Sequence, residues 1–77
     1  MNNLYKYQVV EHYDNQQPPV ERIRTVEASG PMEAIRTRPF WKYASRFTSV
    51  DGGLSLYTQD RDGLNGCKAN RILDIEV

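Results

Sequence analysis

Between Ala34 and Val50 the chain places Arg36, Arg38, Lys42 and Arg46 with no acidic residue among them, interleaved with Phe40, Trp41, Tyr43 and Phe47. Cations neutralise phosphates or meet acidic protein surfaces, and exposed rings stack on unpaired bases or anchor protein interfaces. Arg22 and Arg24 alternate further up the chain and extend the same chemistry, or else serve to discourage edge-to-edge strand pairing. The spacing of Phe40, Tyr43, Ala44 and Phe47 is i, i+3, i+4, i+7, which is the buried stripe of a helix. On that spacing the three rings turn inward, and Trp41, about 100° around the axis from Phe40, is expected to be exposed with Arg38, Lys42 and Arg46 beside it. If the stripe and Trp41 are instead all core, the cations are merely solvated.

Other reactive types are sparse. His12 and Cys67 are each the single residue of their kind, and nothing in the spacing brings them together as a nucleophilic pair. A lone cysteine excludes an internal disulfide and a multi-cysteine metal site. Asp60-Arg61-Asp62-Gly63-Leu64-Asn65-Gly66 has the acid spacing of a calcium loop. It offers Leu64 where an oxygen ligand belongs, Asn65 where Gly belongs and Arg71 where Glu belongs, so it is expected to be a plain turn. No Gly-rich phosphate loop, paired-His metal motif or nucleophile elbow occurs. The expectation is a protein without catalytic residues, metal or cofactor.

The elements that must position these residues follow from pattern and breakers. Residues 4–13 alternate, with Tyr5, Tyr7 and Val9 on one face, and form a first strand. Asp14 to Pro19 is a loop, and 21–28 is a second strand whose phase is ambiguous enough to admit a bulge. Pro31 is a strong helix start, with Gly30 or Ser29 as N-cap and Glu33 in the first turn. The helix runs to about Thr37. Pro39 either kinks it or opens a second short helix, and the aromatic stripe argues for helix as far as Phe47. Thr48–Val50 and Leu54–Thr58 are strands around an Asp51-Gly52-Gly53 turn, 60–66 is a turn region, and 71–77 is the last strand with Leu73, Ile75 and Val77 inward. The order β-β-α-β-β-β implies a small α+β domain, an antiparallel sheet of four to five strands packed by one helix. Its core should join Met32, Ile35, Phe40, Phe47, Leu54, Leu56, Leu73 and Ile75 to Tyr7 and Val9.

With 77 residues and a formal net charge of zero, the chain is expected to be one domain, and it lacks the uniformly basic composition of a non-specific nucleic-acid binder. No apolar run reaches membrane-spanning length and the start has no signal-peptide pattern, so a cytoplasmic, membrane-free protein is expected. The run Val26-Glu27-Ala28-Ser29 into Met32-Glu33-Ala34-Ile35 looks like a strand-to-helix junction of many small bacterial and phage proteins. Gly52-Gly53-Leu54-Ser55-Leu56-Tyr57 with the Asp-Gly turn that follows is similar to parts of some small phage-encoded anti-CRISPR proteins. That resemblance carries over no site residue and implies a mobile-element protein that acts by binding. The expected function is a non-enzymatic module that engages another protein as inhibitor, adaptor or assembly subunit, through Trp41, Arg38, Lys42, Arg46 and Arg36 with Arg22 and Arg24. The alternative is nucleic-acid binding by the same residues. An exposed edge strand admits either a monomer or a homodimer.

Overall fold

A computed structural model describes residues 3–73. Five antiparallel strands form one sheet: β1 (Tyr5–Tyr13), β2 (Val20–Ala28), β3 (Thr48–Val50), β4 (Ser55–Gln59) and β5 (Asn65–Arg71), in the spatial order β2-β1-β5-β4-β3. A single helix, α1 (Pro31–Arg36), joins the two halves, and short 3-10 turns occupy Pro39–Trp41 and Asp51–Gly53. The α+β class, the β-β-α-β-β-β order and the one-helix-on-a-sheet architecture agree with the sequence reading. Among the described residues no helix is long and apolar enough to cross a membrane.

The helix begins where proline chemistry puts it. Pro31 lies in the first turn with no backbone N–H to leave unpaired, Gly30 is the N-cap, and Glu33 and Arg36 complement the dipole at opposite ends. A six-residue helix is too short to persist alone. Its buried Ala34 and Ile35 pack on the sheet, chiefly on β5, and that burial supplies the stability. Helical geometry stops at Arg38, which is extended (φ −85°, ψ 130°) because Pro39 crowds the helical conformation of its predecessor.

Period two is kept along β1. Tyr7, Val9, Glu11 and Tyr13 face the helix and are buried, while Lys6 and Gln8 on the opposite face are exposed. The β1–β2 register runs without interruption from Tyr5 opposite Ala28 to Tyr13 opposite Val20, so there is no bulge. Val20, Arg22, Arg24, Val26 and Ala28 therefore lie on the helix side, and Glu21, Ile23, Thr25 and Glu27 on the other.

Three expectations are corrected. The last of the described strands is β5, which ends at Arg71 where the expected 71–77 strand was to begin; 72 and 73 are outside the sheet, 74–77 lie outside the described residues, and only 60–64 of the expected turn remains outside the sheet. Leu73 is exposed rather than inward, and Ile75 and Val77 lie outside the described residues. The inner face of β5 uses Asn65, Cys67 and Ala69, short side chains that let α1 sit close to the central strand; this is why the segment lacks an obvious hydrophobic pattern. Helix does not continue from Pro39 to Phe47; after one 3-10 turn the chain is irregular to β3. Finally, Phe40 and Leu54 are exposed and Met32, Phe47 and Leu56 only half-buried, while Tyr7, Val9 and Ile35 are core as expected. Trp41, Tyr13 and the small residues Ala28, Ala34, Cys67 and Ala69 complete that core.

Burial pushes the Cys67 thiol from its ordinary 9.0 up to about 12, with the nearby Glu11 charge adding to the rise and Arg38 opposing it. An unfolded chain would release this proton near pH 9 while the folded one holds it. Stability is therefore undiminished below pH 9 and falls as pH rises from there toward 12, by at most about 1.4 kcal/mol per pH unit. Urea titrations of the wild type and Cys67→Ala over pH 8–11 should diverge in slope above pH 9. Parallel curves would contradict the buried, protonated thiol.

Candidate functional site

The site is built from the connection between α1 and β3, and it starts with a buried acid. Glu11 interrupts the apolar face of β1 and is only 2% exposed. Its Oε1 accepts a 2.7 Å hydrogen bond from Arg38 Nε, the ion pair of the described residues. Removing one partner of such a buried pair leaves an uncompensated charge, at a cost of about 3–5 kcal/mol. Arg38 is thus a tether between the loop and the sheet, not a member of a free cationic rim.

Two residues on, Trp41 is buried at 3% exposure, with indole Nε1–H donating to the Tyr13 hydroxyl at 3.1 Å. The expected exposed tryptophan is corrected: Pro39 ends the helix, the phase of the i, i+3, i+4, i+7 stripe is never realised, and the 3-10 turn points Trp41 inward and its neighbour outward. Tyr13 receives both rings, Trp41 stacked at 6.4 Å and Phe40 edge-on at 5.4 Å between centroids. The Tyr13 phenol is raised above its usual pKa, by burial first, with the Trp41 bond acting against the rise and Glu11 reinforcing it.

Arg36 is likewise turned to structural use. Its Nε and Nη2 both donate to the Ala44 carbonyl, at 3.0 and 2.8 Å, and its guanidinium lies 5.7 Å from the Phe47 ring. Thr58 on β4 donates its hydroxyl to the Arg46 carbonyl. Held at both ends, the loop displays Phe40 at 58% exposure and Tyr43 at 85%. Lys42 Nζ stands 5.5 Å from the Tyr43 ring, and both Lys42 and Arg46 are exposed.

A cleft of about 660 Å³ opens between this loop and the β4–β5 turn, lined among others by Phe40, Tyr43, Arg46, Phe47, Gln59 and Arg61. Arg61 arrives from across the fold, and sequence proximity gave no sign of it. Asp60 and Asp62 line the same cleft, so its charge is mixed. Asp60 is occupied by the turn itself: Oδ1 accepts the N–H groups of Leu64 (3.1 Å) and Asn65 (3.3 Å), and Oδ2 accepts Asn65 Nδ2–H at 2.7 Å. This is the plain turn read from the sequence. Among the described residues no group of three or more His, Cys, Asp or Glu could hold a metal.

Of the seven residues expected to form a binding face, Lys42 and Arg46 are both exposed on the loop. Arg36 and Arg38 are engaged internally, Trp41 is core, and Arg22 and Arg24 are exposed on β2, the edge strand. Glu11 was missed, although a charge at i+2 in the Tyr5, Tyr7, Val9 alternation marks an acid aimed at the core. His12 and Cys67 sit at adjacent register positions on opposite faces of the sheet and form no pair. His12 instead stacks on Tyr57 at 6.2 Å, the two closing over Gly66, where a Cβ would lie 2.5 Å from both side chains. No protein-family model, curated protein or solved structure matches the chain.

Arg38→Met and Glu11→Leu should each destabilise by about 3–5 kcal/mol, and the double variant by clearly less than their sum. Denaturant titrations of all four proteins measure the coupling; additive losses would contradict the pairing. Trp41→Ala should cost about 3–5 kcal/mol, a large share of the roughly 4–11 kcal/mol such a chain has at the usual density of stability. Native Trp41 emission should be blue-shifted and shielded from acrylamide.

Proposed function

We propose that this protein is a non-enzymatic binding module that engages another protein through the Phe40–Tyr43 surface, as an inhibitor, adaptor or assembly subunit. The observation that carries this reading is a pair of exposed aromatic rings on a loop whose anchors are all internal. The Arg38–Glu11 ion pair, the Trp41–Tyr13 bond and the Arg36 bonds to Ala44 fix the backbone from which those rings project. An exposed Tyr that needs little further ordering on binding is the usual composition of an interface hot spot. Lys42, Arg46 and Arg61 supply a polar rim beside it.

Nucleic-acid binding is the second reading, and it rests on the same cations. The mixed charge of the cleft favours the first. Asp60 and Asp62 beside Arg46 and Arg61 would repel phosphates, whereas alternating signs suit a protein surface of complementary pattern. We place the module in the cytosol, where the free Cys67 thiol is kept reduced.

The test is affinity capture from the cells that express the chain, with the wild type, Tyr43→Ala and Phe40→Ala as baits and a nuclease-treated sample beside each. Tyr43→Ala should stay within about 0.5 kcal/mol of wild-type stability and weaken capture by at least about 1–2 kcal/mol. A captured protein retained after nuclease treatment and lost with Tyr43→Ala supports the proposal. Capture lost on nuclease treatment, with affinity falling steeply as salt rises, would replace it with the nucleic-acid reading.

A further inference from the structure

The two edges of the sheet are built differently. The β3 edge is three residues long and is ended at once by a turn in which Asp51, Gly52 and Gly53 all have positive φ (54°, 67° and 94°). A short strand cut off in this way offers a neighbouring chain little to pair with. The β2 edge is nine residues long and has no proline and no bulge. Among the described residues no strand pairs with its outer side. Midway along it, Ile23 is 56% exposed on the face away from the helix.

A second copy of this chain suits that edge poorly. Pairing about a dyad at Ile23 sets Arg22 against Arg24 of the other copy, twice. A dyad at Arg24 sets that residue against itself and Glu21 against Glu27, and a dyad at Arg22 opposes two Arg22 side chains. Like charges directly opposite one another destabilise a ladder. Moving the dyad to Thr25 relieves the clash but confines the pairing to 22–28. The same arginines favour a different occupant. Arg22 and Arg24 project on the helix side at i and i+2, both are exposed, and neither enters an ion pair among the described residues. Opposite signs at facing positions turn the repulsion into selection.

From the length and unbroken register of this edge and its paired arginines, we infer that β2 accepts an extended acidic segment of a partner protein by strand addition. Backbone groups of the segment complete the ladder. Acidic side chains at alternate positions face Arg22 and Arg24, and a β-branched residue covers Ile23 on the other face. The surface is separate from the Phe40–Tyr43 loop and does not depend on it.

The probe is a nine-residue, end-capped peptide alternating Glu and Val, as long as β2, with a Lys–Val peptide as counterpart, added to isotope-labelled full-length protein. The Glu peptide should shift amide resonances within Val20–Ala28 and slow exchange of alternate ones there, with the Lys peptide far weaker. Arg22→Glu/Arg24→Glu should weaken Glu-peptide binding by about tenfold or more and strengthen Lys-peptide binding. Unchanged Trp41 emission verifies its fold, and Arg22→Gln/Arg24→Gln carries the same loss of Glu-peptide affinity if the reversal unfolds. Tyr43→Ala should leave peptide affinity unchanged, which separates this edge from the loop surface. Absence of β2 protection by either peptide would overturn the inference, as would equal binding of the two. β2 protection that grows with protein concentration alone would assign the edge to a second copy instead.

Discussion

A carboxylate held inside the sheet must have a cation, and that requirement shapes the half of the molecule that faces outward. Glu11 sits on the helix side of β1, beside the buried Cys67 and Tyr13. Arg38 comes to it from the far end of α1, so the chain is drawn across the sheet at that point rather than continuing as helix. Pro39 makes the approach feasible by holding Arg38 extended. The next turn then places Trp41 against Tyr13 and leaves Phe40 and Tyr43 outside. A pair of apolar residues could fill the same volume with equal stability. What the ion pair adds is direction, since one guanidinium meeting one carboxylate admits few alternative seatings of the loop.

The same interaction explains what could be read in advance. Backbone constraints were the most legible: Pro31 marks the helix start, the Asp51-Gly52-Gly53 turn separates β3 from β4, and the Tyr5–Val9 alternation defines the inner face of β1. Residues 40–47 were misread because periodicity reports a spacing but not its phase, and a spacing means nothing once a proline has ended the helix. Trp41 and Phe40 exchanged places for that reason. β5 escaped notice because the central strand under a helix is filled by Cys67 and Ala69, and Asn65-Gly66 imitates a turn. Within the site, Lys42 and Arg46 were visible as neighbours in sequence. Arg61 reaches the cleft only through the β4–β5 hairpin, whose turn was legible but whose second strand was not.

Zero net charge conceals a division of labour among the cations. Arg38 neutralises an internal acid, Arg36 braces a carbonyl, and Arg71 lies 3.9 Å from the Tyr5 ring. Those three are committed to holding the structure together. Arg22, Arg24, Lys42 and Arg46 remain at the surface, the first pair on a sheet edge and the second on a fixed loop. Composition alone counts all seven alike, yet only geometry tells which are available to a partner.

The position of β5 has a consequence for biosynthesis. Among the described strands it is the last in chain order and the middle one in space, so the β1–β2–α1 portion and the β3–β4 portion have no sheet contact with each other until β5 is inserted. A ribosome emits the first portion well before the strand that completes it. During that interval the inner edge of β1 is as bare as the outer edge of β2, with Glu11 and Tyr13 still wet. Translation speed through 51–71, or a chaperone that shields extended edges, would then govern how much nascent chain is lost to intermolecular pairing.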